Sequence, residues 1–135
     1  MRIAIVCVPR QRGGIPGYAV SLAKGMESMG HRVDTIDAWT EDGMRLPGYE
    51  YIVVAAESVS SFSGKLPDPL AKVLSAGSGL VGKRSAAFVK KSGLFSSRAL
   101  FNVMRAMEKE GMRVNWSDIL LNPAHAEALG KRIGA

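Results

Sequence analysis

The feature that most constrains this fold is the regular alternation of apolar segments with helical or loop segments along the chain. The first segment, Arg2–Val8 (RIAIVCV), is apolar after its first residue, which is typical of a strand buried on both faces of a sheet. Alternation of this kind predicts a parallel sheet covered by helices on both faces. We therefore predict an α/β fold, a three-layer sandwich with five parallel strands in the order 2-1-3-4-5.

Hydrophobic periodicity and turn residues predict the position of each element. The predicted strands are Arg2–Val8, Arg32–Ala38, Glu50–Ala56, Ser85–Val89 and Met112–Leu121. The first two predicted helices are Pro16–Met29 and Pro69 to about Ala76. Ser96 or Ser97 is predicted to cap a third helix that Gly111 ends, and Asn122-Pro123 to cap a fourth that runs through Lys131. The first helix should bury a stripe of Tyr18, Leu22, Met26 and Met29. Because no linker separates these elements, we expect residues 1–135 to form one domain.

The single cysteine, Cys7, excludes an intramolecular disulfide and a site built from several cysteines. Cys7 lies within the first strand, so we expect a small core residue rather than a nucleophile. No apolar run reaches the roughly 18 residues that a membrane span needs. The first strand begins at Arg2 without a basic leader, so we expect a cytoplasmic protein with no membrane partner. Neither His31 nor His125 has a metal ligand at the usual spacing, so we expect no metal.

The net charge of +6 is concentrated in one part of the sequence. The segment 83–113 carries eight basic residues against Glu108 and Glu110, whereas the charges on either side of it cancel. This segment is either a surface for a partner or an ordinary solvated face. No aromatic platform is interleaved with its basic residues, which argues against nucleic acid as the partner.

Three loops are expected to meet at the ligand-binding edge of the sheet. In a doubly wound sheet, ligands bind beyond the carboxyl ends of the strands, where the strand order reverses. That point lies between the first and third predicted strands, which brings loops 9–17, 57–66 and 90–97 together. These loops contribute a basic rim that indicates an anionic ligand: Arg10, Arg12, Lys65, Lys90 and Lys91.

Loop 9–17 leaves a buried strand and enters a helix, the context in which backbone N–H groups bind phosphate. Gly13 and Gly14 permit close approach of the backbone, and the guanidinium groups of Arg10 and Arg12 would clamp phosphate oxygens. The loop contains no Ser, Thr, Asn or Asp. The alternative is a connecting loop that binds nothing.

A second glycine pattern, residues 77–82, matches the dinucleotide-binding motif G-x-G-x-x-G. That motif requires a strand before it and a helix after it, so that the pyrophosphate meets a helix N-terminus. Here a helix is predicted before the glycines and a strand after them. We therefore interpret the segment as a flexible connection.

Three segments resemble the flavodoxin family, either short-chain flavodoxins or the flavodoxin-like domains of related flavin proteins. Gly30–Asp37 resembles the entry to the family's second strand. Ser61–Leu70 resembles the aromatic-x-Gly-Lys-x-Pro-x-Pro-Leu segment of its second flavin loop. Leu80–Phe88 resembles the Leu-x-Gly-Lys entry to the following strand. The resemblance covers nearly the whole chain and implies a flavodoxin-like fold.

The resemblance implies a non-covalent FMN and either electron transfer or flavin-dependent oxidoreductase chemistry with a redox partner protein or a small-molecule acceptor. It leaves open whether the chain is an FMN-dependent enzyme or a non-enzymatic electron carrier. The implied cofactor-binding residues are Arg10, Gln11, Arg12, Gly13, Gly14, Ile15, Ser61, Phe62, Ser63, Gly64, Lys90, Lys91, Ser92 and Gly93. Phe62 would stack on the flavin ring; the alternative is that it packs against the base of its own loop.

The phosphate loop departs from the family pattern Thr/Ser-x-Thr-Gly-x-Thr. Gly13 matches the glycine, but the hydroxyl positions fall on Arg10, Arg12 and Ile15. This departure removes the usual side-chain donors and weakens the expected grip on the FMN phosphate. A flavodoxin-fold binding or regulatory module that has lost FMN and uses its basic edge for a protein, nucleic acid or other anion is therefore the alternative function.

Overall fold

The computed structural model describes residues 1–76 and 79–133. Its strands are β1 (Arg2–Val8), β2 (Arg32–Asp37), β3 (Tyr51–Ala56), β4 (Arg84–Lys90) and β5 (Arg113–Leu120). Its α-helices are α1 (Gly17–Ser28), α2 (Pro69–Ala76), α3 (Ser96–Lys109) and α4 (Pro123–Gly130). A 3₁₀ turn, Leu46–Gly48, lies between β2 and β3.

The five strands form one sheet in the order β2-β1-β3-β4-β5, and every neighbouring pair is parallel. Successive residues of β1 alternate between two cores: Ile3 and Ile5 pack with α1 and α4, whereas Ala4 and Val6 pack with α2 and α3. Both faces of the central strands are therefore buried, as the continuous apolar runs require. The predicted α/β class and strand order are confirmed.

Two predictions about helix ends are wrong. Met29 is 57% exposed because α1 ends at Ser28, where Gly30 turns the chain with φ of +90°. Neither Ser96 nor Ser97 caps α3, whose N-cap is Phe95 without a side-chain cap. Ser96 lies inside the helix instead, and its hydroxyl accepts from the Ser92 N–H at 2.9 Å.

Other predicted details are confirmed. Asn122 caps α4, because its side-chain oxygen accepts from the N–H of His125 at 2.8 Å. Cys7 is fully buried, and burial together with the nearby charge of Asp37 raises the pKa of its thiol to about 12. The rejected glycine pattern lies between α2 and β4, as expected, although Gly77 and Ser78 themselves fall outside the described residues.

Helices α1 and α4 approach each other through glycine. A β-carbon on Gly25 would collide with the Glu127 carbonyl of α4, and one on Gly130 would collide with the Leu22 carbonyl of α1. The absence of both side chains lets the two helices lie close together over one face of the sheet.

Replacing Gly25 with Ala should destabilise the fold by about 2 kcal/mol, because backbone atoms must move to admit the methyl group. Chemical denaturation followed by circular dichroism measures the change. Gly17→Ala in the same helix is the matched control, since nothing lies within 4 Å of its β-carbon position. Equal stability of the two variants would contradict the proposed role of the close helix contact.

Candidate functional site

Arg10 ties three loops together at the carboxyl edge of the sheet. Its Nε donates to the Ser58 carbonyl at 2.9 Å, and its Nη2 donates to the Ser92 hydroxyl at 2.8 Å. The Ser92 hydroxyl also lies 3.1 Å from the hydroxyl of Ser61. One side chain therefore links the loops that follow β1, β3 and β4, which are the loops that the sequence places at this edge.

One backbone donor of the loop after β1 is already bonded within the protein. The N–H of Arg10 donates to Glu57 Oε1 at 3.0 Å, so a carboxylate from the loop after β3 already occupies this donor. Pro16 is the N-cap of α1 and provides no side-chain cap. Gly14 adopts φ of +81°, and Ile15 packs against the core beneath α1. Residues 11–14 are exposed to solvent.

Trp39 borders the same loop, which the sequence did not indicate. Its indole Nε1 donates to the Pro9 carbonyl at 2.9 Å, and the Arg12 guanidinium lies 5.8 Å from the centre of its ring. Trp39 follows β2, which pairs with β1, so the two carboxyl ends are neighbours. Arg12 thus rests on an aromatic face.

The loop after β3 presents an aromatic side chain from an anchored backbone. Phe62 is 85% exposed, so it does not pack against the base of its own loop. The carbonyl of Gly64 accepts from Asn102 Nδ2 of α3 at 2.9 Å, and a β-carbon on Gly64 would collide with Arg98. The backbone carbonyl of Lys65 accepts from the Val59 N–H at 2.8 Å, which closes the loop on itself.

The loop after β4 lies against the loop after β3. Gly93 adopts φ of +62°, and a β-carbon there would collide with the Ser61 carbonyl, so only glycine permits this approach. Leu94, the next residue, is 94% exposed. Lys90 and Lys91 precede it and are also exposed. Two exposed apolar side chains, Phe62 and Leu94, therefore extend from loops that touch at their bases.

A cavity of about 390 Å³ opens beside these loops, between the N-termini of α1 and α4. Its lining includes Glu57, Lys90, Lys91 and the first residues of α1, among them Tyr18. Tyr18 is 9% exposed, and its hydroxyl has no hydrogen-bond partner in the described part of the chain. Burial raises the pKa of Tyr18, and the nearby charge of Glu57 adds to the effect.

The basic segment 83–113 does not form one surface. Lys83 and Arg84 stand at the amino end of β4, where the Lys83 ammonium donates to the Pro47 carbonyl at 3.1 Å. Lys90 and Lys91 lie at the opposite, carboxyl end of the same strand. The remaining basic residues include Arg98, Arg105 and Lys109 on α3, so the excess charge is divided between both edges of the sheet and this helix.

Each of the fourteen residues proposed from sequence lies on one of the three loops or at the strand end beside them. Sequence reasoning missed Glu57, Trp39 and Tyr18. The positions of Glu57 and Trp39 could have indicated the site, because ligands bind beyond the carboxyl ends of the strands. Glu57 directly follows β3, and Trp39 lies shortly after β2. Tyr18 gave no such signal, because an aromatic residue on the buried stripe of a helix reads as core.

Two features are absent from the described residues. None of the described helices has both the length and the hydrophobicity that crossing a membrane requires. No group of three or more His, Cys, Asp or Glu side chains is arranged to hold a metal ion within residues 1–76 and 79–133.

The chain is similar in structure to several flavodoxins. Oxidised flavodoxin 1 from Bacillus cereus matches with a TM-score of 0.73 and 16% identity, over 96% of this chain and 95% of that one. A flavodoxin from the domain Archaea matches with a TM-score of 0.71 and 19% identity, over 98% and 96%. The flavodoxin of Streptococcus pneumoniae TIGR4 gives a TM-score of 0.71 and 18% identity, over 98% and 100%.

No protein-family model and no curated protein matches the sequence. The structural likeness extends over nearly the full length of each flavodoxin, and the strand order is the same as that predicted from the sequence. The chain therefore has the flavodoxin-like fold.

Proposed function

We propose that this protein binds a flavin at the carboxyl edge of the sheet and transfers electrons to or from a partner protein or a small-molecule acceptor. The observation that carries the proposal is the exposure of Phe62 on an anchored loop at the point where the strand order reverses. A large aromatic side chain held in solvent by a fixed backbone suits the stacking of a flat ring.

In this proposal, the isoalloxazine ring lies between the loop that carries Phe62 and the loop after β4. Phe62 would cover one side of the ring, and the segment 90–93 would close the other, with Leu94 at its border. The two loops are already joined through Arg10, Ser61 and Ser92. Binding would therefore require little additional ordering of the backbone, which favours affinity.

A bound flavin supplies the hydride and electron chemistry, while the protein supplies position and electrostatics. The chain's own contribution would come from Phe62 and Leu94, which would exclude water from the ring. Lys90 and Lys91 would place positive charge beside it. The proposal covers both a non-enzymatic electron carrier and a flavin-dependent oxidoreductase.

The phosphate of FMN fits this structure less well than the ring. The Arg10 N–H donates to Glu57, and two N–H groups of the Arg10 side chain are bonded to Ser58 and Ser92. Arg12 rests on Trp39, and Ile15 packs into the core. The proposal therefore rests on the contacts expected for the flavin ring rather than on contacts to a phosphate. FMN is the flavin that the sequence resemblance suggests.

The second candidate function is a binding or regulatory module of the same fold that holds no flavin. The hydrogen bond from Arg10 to Glu57 favours it, because an internal carboxylate occupies the phosphate loop. In that case Arg12, Lys65, Lys90 and Lys91 would bind an anionic surface of a partner. A colourless protein that quenches the fluorescence of neither riboflavin nor FMN at micromolar concentration would favour this candidate.

Phe62→Ala should weaken flavin binding by about tenfold, because one face of the ring loses its aromatic neighbour. Titration of riboflavin and of FMN, followed by fluorescence quenching, measures both dissociation constants. The stability should change by less than about 0.5 kcal/mol, since the side chain is almost fully exposed. Phe101→Ala is the control, because Phe101 is also exposed but lies on α3 beside Arg105. Equal effects of the two substitutions would remove the support for stacking.

Arg10→Ala and Arg12→Ala should have different effects. Arg10→Ala should cost about 2 kcal/mol of stability, because two hydrogen bonds between loops are lost. Arg12→Ala should leave the unfolding transition almost unchanged, because Arg12 is exposed. Thermal unfolding of both variants makes the comparison. Similar stabilities would show that Arg10 does not hold the loops together.

Lys90 and Lys91 should make a bound flavin easier to reduce, because positive charge stabilises the negative charge gained on reduction. Replacing both with Gln should lower the midpoint potential by about 20–40 mV, a modest effect because the lysines are exposed. Redox titration of the flavin-loaded protein measures the potential, with Lys72→Gln on α2 as the control. A potential that is unchanged at low salt would contradict this role of the lysines.

A further inference from the structure

We propose that Glu57 occupies the place of a ligand phosphate, and that the site therefore selects a flavin without a terminal phosphate over FMN. This inference rests on the proposed flavin function and concerns the chemistry of its ligand. The inference depends on Glu57, which is not among the fourteen site residues predicted from the sequence.

The geometry at the end of β1 provides the first argument. In this fold an anion would bind where the chain leaves β1 and enters α1. Glu57 Oε1 accepts the N–H of Arg10 at 3.0 Å in that stretch, so an anion is already present. Arg10 cannot turn toward a second anion without breaking its bonds to Ser58 and Ser92.

The balance of charge provides the second argument. Glu57 is half-buried and directly bonded to the loop, whereas Lys90 and Lys91 are exposed at the rim of the cavity. Water and salt screen exposed charges much more strongly than partly buried ones. A phosphate placed in this loop would therefore meet the carboxylate at short range and the ammonium groups only through solvent.

The cavity suits an uncharged polyol, such as the ribityl chain of riboflavin. Within the described residues, the carboxylate of Glu57 accepts a hydrogen bond through Oε1, which leaves Oε2 able to accept from a hydroxyl group. The buried hydroxyl of Tyr18 has no partner there, and Tyr18 is one of the residues that line the same cavity. Buried polar groups ordinarily find partners, so this hydroxyl fits a hydroxyl-rich ligand. The cavity thus offers acceptors and donors to alcohols.

Isothermal titration of the unmodified protein with riboflavin and with FMN tests the inference directly. We expect riboflavin to bind more tightly than FMN. If FMN binds as tightly as riboflavin or more tightly, the inference is overturned while the proposed flavin function stands. If neither flavin binds at 100 µM, the proposed function fails and the inference fails with it.

Glu57→Gln tests the residue itself, because the amide keeps an acceptor for the Arg10 N–H and removes the charge. The affinity for FMN should rise by about tenfold, whereas that for riboflavin should change by less than about threefold. Glu50→Gln is the matched control. Glu50 Oε1 accepts the Arg2 N–H at 3.1 Å, at the opposite end of the same two strands.

An equal rise in FMN affinity for Glu57→Gln and Glu50→Gln would overturn the inference, because it would reflect net charge alone. No rise for Glu57→Gln would overturn it too, provided that thermal unfolding shows the variant to be folded. Should that variant not fold, Glu57→Ser serves in its place. The comparison of riboflavin and FMN on the unmodified protein decides the question without any substitution.

Discussion

The carboxyl edge of this protein depends on the hydrogen bonds of one residue, Arg10. Its side chain bonds to Ser58 and Ser92, and its N–H bonds to Glu57, so the loops after three strands are held as a unit. A guanidinium group suits this task because its donors are fixed in one plane. The same bonds that order the edge also remove donors from it. A residue that reads as a phosphate clamp in the sequence is instead occupied by the protein itself.

This constraint affects the two halves of the proposed flavin site differently. In the half proposed to hold the ring, Phe62 and Leu94 extend from loops that touch at Ser61 and Gly93. The half that would hold a phosphate contains a carboxylate, a partly buried Ile15 and a proline at the helix entry. Loss of the hydroxyl groups alone would weaken the binding of an anion, whereas an internal carboxylate also repels the anion. The structure thus adds a second obstacle to phosphate binding, the carboxylate of Glu57, to the hydroxyl groups that the sequence lacks.

The sequence predicted the sheet well because the determinants of the sheet are local. The apolar run of β1 and the Asn122 cap of α4 are each encoded within a few neighbouring residues. The Ser96 cap was wrong because the Ser96 hydroxyl bonds to Ser92, a contact that depends on how the loop before α3 folds back. Glu57 and Trp39 were missed for a related reason. Each interacts across strands with residues of the loop after β1, and single-sequence patterns do not specify such partners.

The glutamates at the two ends of β3 show why the fold cannot by itself assign the function. Glu50 and Glu57 each accept an N–H beside β1, so in structural terms they perform the same task. Glu50 lies at the amino edge, where a parallel α/β sheet binds no ligand, and its charge has only a structural consequence. Glu57 lies at the carboxyl edge, where the same bond also sets the charge that a ligand meets. At 16–19% identity to the flavodoxins compared, such single residues decide what the shared fold can bind.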